Sequence, residues 1–395
     1  MKILIADKLS DTALKDLGSL GAEITFEPGL GAGDLPGAIA DAEILIVRST
    51  KVTADTIDKG ANLSLIIRAG AGVNTIDLEE ASSRGIHVAN CPGKNADAVA
   101  ELAMGLMIAA DRRIADGTMD LRNGVWNKKL YGKAAGLKGR TLSVIGMGSI
   151  GRGCAERAKA FGMNVAAWSR SLTPEKAEAW GVEYCATPRE AASRADALSV
   201  HLAAGKATKH FIDKEILDAM KDGSILVNTS RGEVVDTAAL KQAIKSKGLK
   251  VAIDVYENEP GASDKEFTDT ELAALVTGTH HIGASTDQSS DAIAGEVVNI
   301  VKAYLETGKP LHQVNHQEKS SGIINLVVRH FNTVGVLAGV LDELRTANIN
   351  IEEMENSVFS GGQAAVCTLK LDASPSDSIL EKVRGIKNVI QIALK

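Results

Sequence analysis

The feature that most constrains this chain is the run TLSVIGMGSIGR at residues 141–152. It joins an apolar, strand-like stretch to a helix-like one through a G-x-G-x-x-G turn. In that setting each glycine has a separate duty. Gly146 permits the tight turn, Gly148 lets a pyrophosphate approach the backbone, and Gly151 lets the helix pack closely on the strand. Ser149 and Ile150 open the helix, whose free N–H groups would face the phosphates. The surrounding pattern agrees. Strand-length runs TLSVIG, NVAAW, ALSVH, SILVNT, KVAIDV and AALVTG alternate with helical stretches at 149–161, 188–194, 213–220 and 236–247. Six such strands imply a doubly wound parallel sheet that binds a dinucleotide.

An earlier series, KILIA, EITF, EILIV, LSLII and IHVAN, alternates in the same way before a long helix expected from about Asn95 to Asp111. A further helix is expected at about 287–307. After the polar stretch 316–322, read as a linker, the rhythm changes to βαββαβ, the order of a ferredoxin-like sandwich. The fold class is therefore α/β, with two Rossmann-like doubly wound lobes and a small C-terminal ferredoxin-like domain.

Composition excludes several functions. The 395 residues are 45% hydrophobic and 24% charged, an ordinary globular balance, with a net charge of −6. Aromatic residues make up 3%, too few for base stacking, and the acidity argues against nucleic-acid partners. No run is long enough for a membrane span. The four cysteines, at 91, 154, 185 and 367, form no CxxC pair, so no metal site or disulfide framework is expected. Reduced thiols, with only a short apolar run before Asp7, imply the cytoplasm.

The strand after the glycine motif would end in Asp or Glu if it held the adenosine ribose of NAD. It ends Trp168-Ser169-Arg170 instead. Serine and arginine there could receive a 2′-phosphate, or Arg170 could face solvent. The cofactor reading is NAD, with NADP open on this feature.

Three polar residues follow three strands at their C-terminal ends, where such sheets bind ligands. Arg231 follows SILVNTS, Glu259 follows VAIDVYEN, and His281 follows AALVTGTH. Histidine can take a hydroxyl proton while hydride leaves the same carbon. An acid beside it would hold the imidazole, and arginine would clamp a carboxylate. Together they suit reversible oxidation of a 2-hydroxy acid to a 2-oxo acid. His201, which ends ALSVH, could touch the cofactor or simply pack.

GMGSIG, NTSRGEVVD, DVYENEP and HHIGAST occur here in the order found in the D-isomer-specific 2-hydroxyacid dehydrogenases, and RAGAGVNTIDLE at 68–79 is similar to that family's substrate loop. The chain resembles that family over nearly its whole length. The resemblance makes Arg231, Glu259 and His281 the catalytic residues. It puts Ser149, Ile150, Ser169, Thr229, Ser230, Asp254 and Gly283 at cofactor positions, with Asp254 near the nicotinamide. The loop Arg68-Ala69-Gly70-Ala71 would offer amides to the substrate carboxylate. Arg48 matches a phosphate-contacting position, so a phosphorylated acid is expected. Glyoxylate or hydroxypyruvate reduction with NADPH is the alternative, and a non-enzymatic NAD-sensing corepressor is a rival from another class. Trp126 and Lys128 match residues lent to a partner's site, which implies a homodimer or homotetramer. The family also implies a split substrate-binding lobe, 1–96 with 287–315, around a dinucleotide-binding lobe, 97–286.

Two departures stand out. His280 replaces the proline that usually precedes the catalytic histidine, and Asn74 replaces an aspartate of the substrate loop. The segment 323–395 resembles an ACT domain, an amino-acid-sensing module. His330, Asn332 and Asn350 match positions that hold L-serine as effector in serine-sensitive relatives, with Val334 in place of a proline.

Overall fold

Apart from the exposed EITF, the first strand-like runs are largely buried on both faces, so they need cover on both sides, and a wound parallel sheet supplies it. A computed structural model describes residues 1–260, 266–317 and 321–395. The expected linker at 316–322 lies partly outside these. The chain forms two units, Met1–Asn315 and His316–Lys395.

The first unit holds two parallel sheets. The strands β1 (Lys2–Ile5), β2 (Glu23–Phe26), β3 (Ile44–Val47), β4 (Leu65–Arg68) and β5 (His87–Asn90) lie in the order β2-β1-β3-β4-β5. On one face Ile3, Ile46 and Ile67 pack with Ile293, Val297 and Ile300 of the long helix Asp287–Thr307. On the other, Leu4, Leu45 and Ile66 pack with Leu35, Ile39 and Ile57. The tail 312–315 is strapped to β5: Val88 N–H donates to the Asn315 side chain at 2.9 Å.

The second sheet holds β6 (Thr141–Ile145), β7 (Asn164–Trp168), β8 (Glu183–Tyr184), β9 (Ala197–Val200), β10 (Ile225–Asn228), β11 (Lys250–Ile253) and β12 (Val276–Gly278). Their order is β12-β11-β10-β9-β6-β7-β8. The chain reverses direction across the sheet between β6 and β9, the switch point where ligands bind such sheets. The helix Ala96–Arg112 sends Ala103 and Met107 into this core. Asn95 is its N-cap by position but makes no side-chain capping bond, and Asp97 in its first turn pairs with Arg157.

Two expectations change here. AALVTG, read as one strand, is half helix. Asp269 caps Thr270–Leu275 by accepting from Leu272 N–H, and only Val276–Gly278 remains extended. The short edge strand β8 was not expected. The helices Ile114–Arg122 and Lys128–Tyr131 follow the long helix, and the first of them buries no residue.

The second unit has β13 (Ile324–Phe331), β14 (Ile351–Val358), β15 (Ala364–Leu371) and β16 (Val389–Leu394), antiparallel in the order β14-β15-β13-β16. Its helices, Val336–Thr346 and Asp377–Gly385, bring Val340, Leu344, Leu380 and Val383 onto Leu326, Val328 and Leu369. This is the expected βαββαβ sandwich. Among the described residues no helix is long and apolar enough to cross a membrane, and no group of His, Cys, Asp or Glu could hold a metal ion.

Candidate active site

The glycine turn has the shape its spacing implies. Gly146 sits at φ +99, and a Cβ there would overlap the His201 carbonyl oxygen. A Cβ on Gly151 would overlap the Gly146 carbonyl, so the helix Ser149–Ala160 rests directly on the turn. Gly148 is the N-cap of that helix, and nothing lies within 4 Å of where its Cβ would stand. The backbone is therefore open where a pyrophosphate must approach. Beyond β10, Thr229 Oγ1 is buried without a partner, an orphaned group that a bound cofactor would satisfy. These residues fit a dinucleotide. Ser230 is less available, since its hydroxyl donates to Asn228 Oδ1 at 2.8 Å. Ser169 is half-buried and Arg170 exposed at the end of β7, and among the described residues no carboxylate pairs with Arg170.

His201 lies beside this turn. Its Nε2 shares a hydrogen bond with Ser199 Oγ at 2.8 Å, and its Nδ1 is buried and unpaired. Burial pushes its imidazole down to about 4, so it is neutral at physiological pH.

The ends of β11 and β12 bring His281 and Glu259 together. His281 Nδ1 meets Glu259 Oε2 at 2.8 Å, and Tyr256 N–H donates to Glu259 Oε1 at 3.0 Å. Burial alone would raise the Glu259 carboxyl. The hydrogen bond and charge of His281, the Tyr256 amide and the charge of Arg231 outweigh it, and the net shift is downward. Glu259 is therefore an acceptor, and His281 donates from Nδ1.

The turn that carries His281 hangs on Asp254, which is 1% exposed. Asp254 Oδ1 accepts from Thr279 Oγ1 at 2.6 Å and Ile282 N–H at 2.9 Å. Its Oδ2 accepts from Gly283 N–H at 2.8 Å. His281 N–H donates to the Asp254 carbonyl at 2.8 Å, and His281 itself takes φ +54, an uncommon conformation for a side-chain-bearing residue. Asp254, expected at the nicotinamide, thus has both oxygens engaged in shaping the histidine turn. Gly283 fits there because its Cβ would stand only 3.1 Å from Asp254 Oδ2.

Arg231 and Arg68 lie over the loop 70–72, where glycine makes room. A Cβ on Gly70 would overlap the Arg68 guanidinium, and one on Gly72 would crowd Arg231 Nη2. Arg231 Nη1 donates to the Ser230 carbonyl at 2.6 Å. Asn228 fixes that corner by donating to the Arg231 carbonyl at 3.0 Å. Arg68 is lowered, first by burial, then by Arg231 and by Arg48, with its Nε unpaired. Arg68 therefore lies within electrostatic reach of both Arg231 and Arg48. The loop amides are only partly free. Ala69 N–H donates to the Val47 carbonyl and Gly70 N–H to the Arg68 carbonyl, both at 2.7 Å. Among the described residues the Ala71 N–H has no acceptor.

Other expected residues lie apart. Trp126, 79% exposed, and Lys128 line a groove of about 390 Å³ with Arg113, Leu121 and Tyr131. In the second unit His330 is 2% exposed. Its Nδ1 meets the Phe331 carbonyl at 2.8 Å and its Nε2 meets Asn356 Oδ1 at 3.2 Å, so it shows no free ring nitrogen. Asn332 and Asn350 are exposed and do not bond to each other; Asn332 donates to the Gly362 carbonyl and Asn350 to Glu352. Sequence reasoning missed the positioning roles of Asn228, Thr279 and Asp7. Polar residues at the ends of strands were the available signal, but without coordinates their partners are unknown.

An open glycine turn, a strand-end histidine–carboxylate pair and strand-end arginines within one unit define a dinucleotide-dependent oxidoreductase. The sequence profile described as "D-isomer specific 2-hydroxyacid dehydrogenase, NAD binding domain" matches residues 104–283. The chain belongs to the D-isomer-specific 2-hydroxyacid dehydrogenase family, and NAD is the cofactor of that matched domain. It is 41% identical over 363 residues to a D-3-phosphoglycerate dehydrogenase of Methanocaldococcus jannaschii, covering 91% of this chain and 68% of that one. It is 41% identical over 291 residues to a hydroxypyruvate reductase of Thermotoga maritima, covering 72% and 91%. Against a D-3-phosphoglycerate dehydrogenase of Archaeoglobus fulgidus the chain spans 58% of the relative's length. Among solved structures, the TT0316 protein of Thermus thermophilus superposes with a TM-score of 0.70 at 31% identity, covering 80% of this chain and 100% of that one.

Proposed function

We propose that this enzyme oxidises 3-phospho-D-glycerate reversibly at C2 to 3-phosphohydroxypyruvate with NAD, a step that would open phosphorylated L-serine synthesis. The observation that carries the reading is a line of cations leading away from the His281–Glu259 pair: Arg231 acts on Glu259, and Arg68 lies between Arg231 and Arg48 in charge. A line of cations leading away from the base suits a substrate with an anion at each end. His281, held as the Nδ1–H tautomer by Glu259, leaves Nε2 to accept the C2 hydroxyl proton. Glu259 stabilises the imidazolium that results. Arg231 clamps the carboxylate and polarises the C2 oxygen, helped by the Ala71 amide. Bound NAD supplies the hydride acceptor. Asp254 and Thr279 keep the histidine turn in place while the proton moves.

Residues 1–96 with 287–315 would form the substrate-binding lobe, and 97–286 the cofactor lobe, with the site in the cleft. A second copy of the chain would lend Trp126 and Lys128 across a homodimer or homotetramer. We read the C-terminal unit as an ACT domain; L-serine would meet it at Asn332 and Asn350, with His330 bracing Asn356 from within. A second reading, reduction of hydroxypyruvate or glyoxylate with NADPH, is favoured by the exposed Arg170 and by relatives of those names. A matrix of 3-phosphoglycerate, glycerate and glycolate against NAD and NADP, with and without L-serine, separates the two. Turnover of 3-phosphoglycerate with NAD supports the first. Turnover restricted to the unphosphorylated acids with NADP supports the second.

A further inference from the structure

A second feature of the first sheet is not accounted for by the histidine site. At the C-terminal edge of β1, β3 and β4 lies a cavity of about 230 Å³. Lys8 and Ser10 of the loop after β1, Arg48 after β3, Ala69 after β4, and Ser290 near the start of the helix Asp287–Thr307 line it. Asp7 explains why Lys8 and Arg48 share this space. Its Oδ2 accepts from the backbone N–H groups of Arg48, Ser49 and Thr50 at 2.7, 3.0 and 3.0 Å. One carboxylate thus ties the two loops together and is itself engaged by backbone. Among the described residues neither the Lys8 ammonium nor the Arg48 guanidinium has a carboxylate partner. Two cationic residues therefore line one small cavity, and the adjacent carboxylate, Asp7, is spent on backbone N–H groups rather than on either side chain, which favours an anion there.

The cavity is also continuous in charge with the chemistry. Arg68 feels both Arg231, beside His281, and Arg48, at the cavity. A three-carbon acid with its carboxylate at Arg231 would direct its C3 substituent along this line of cations.

We propose that Lys8 is a specificity-determining residue, its ammonium joining Arg48 to hold the distal phosphate of the substrate in this cavity. The inference rests on the phosphorylated-substrate reading and extends it to a named residue. Lys8 takes no part in bond making. It lowers KM for the phosphorylated acid and leaves the unphosphorylated acid unaffected.

The test is reductive kinetics with NADH on 3-phosphohydroxypyruvate and hydroxypyruvate, for wild type, Lys8→Met, Lys8→Arg and Arg48→Met. Removing one partly solvated cation from a phosphate should raise KM for 3-phosphohydroxypyruvate about tenfold, with kcat held within about twofold. Lys8→Met should leave kcat/KM for hydroxypyruvate within about twofold, and Lys8→Arg should recover most of the loss. Inorganic phosphate should compete with 3-phosphohydroxypyruvate in wild type and do so more weakly in Lys8→Met. Equal losses for both substrates in Lys8→Met, or no loss while Arg48→Met discriminates, would overturn the role of Lys8 and leave the phosphorylated-substrate reading standing. Failure of the wild-type enzyme to reduce 3-phosphohydroxypyruvate while it reduces hydroxypyruvate would overturn both.

Discussion

Glu259→Gln is the substitution whose consequence the geometry defines best. Glu259 uses one oxygen for Tyr256 N–H and the other for His281 Nδ1. Glutamine has one carbonyl oxygen and one amide nitrogen. If the oxygen keeps the Tyr256 bond, the NH2 faces Nδ1 and forces it to accept. The ring proton then moves to Nε2, and His281 can no longer take a proton from substrate. A hydrogen bond to a charged group contributes about 1.5–3 kcal/mol, and the pair is partly exposed, with side-chain accessibilities of 45% and 31%. Loss of the carboxylate should therefore remove up to about that much support for the imidazolium formed as the proton moves, reduced by solvent screening. The wrong tautomer should add a loss in kcat for oxidation, about 100-fold or more, as for other misprotonated general bases. The assay is kcat and kcat/KM across the neutral pH range and a little to either side, with NADH binding followed by fluorescence. Binding should not change, because Glu259 is remote in sequence and bonding from the glycine turn. A variant within about threefold of wild type at every pH would show that the pair does not organise the base.

Two further outcomes follow from packing. Gly151→Ala places a methyl on the Gly146 carbonyl; the turn must open, so NADH affinity should fall at least about tenfold while 3-phosphoglycerate still protects the substrate loop from proteolysis, and unchanged affinity would refute the close-packed turn. His201 has its pKa lowered by burial from 6.5 to about 4. Since the unfolded chain binds the proton first, stability is constant above about pH 6.5 and falls as pH drops toward 4, by about 2 kcal/mol at about pH 5. His201→Asn should flatten that fall in urea unfolding followed by Trp168 and Trp180 fluorescence, and an unaltered pH slope would count against the buried neutral ring.

Strands and helices of the cofactor sheet are legible because long apolar runs bounded by glycine have one good solution in a buried parallel sheet. TLSVIG and NVAAW are strands within a residue of their expected ends. AALVTG misleads because its apolar content suits either structure, and the deciding element is the side chain of Asp269, four residues before it. Arg231, Glu259 and His281 are visible as polar residues after strands, and coordinates add which bond joins them. Asp254 is visible too, but its partners are not. A strand-end aspartate reads equally as a ligand contact or a turn brace, and three donors from the histidine turn, Thr279, Ile282 and Gly283, show the brace. Lys8 is not legible at all, since a lysine after a strand is ordinary until Asp7 is seen tying its loop to Arg48.

The central claim is that His281, oriented by Glu259, moves the proton for hydride transfer at C2 of a 2-hydroxy acid. The most direct measurement is NAD-dependent turnover of His281→Ala, made alongside its NADH binding. The account predicts a fall in kcat of about 10²–10⁴ with binding retained. Turnover within about tenfold of wild type, at unchanged NADH affinity, would contradict it.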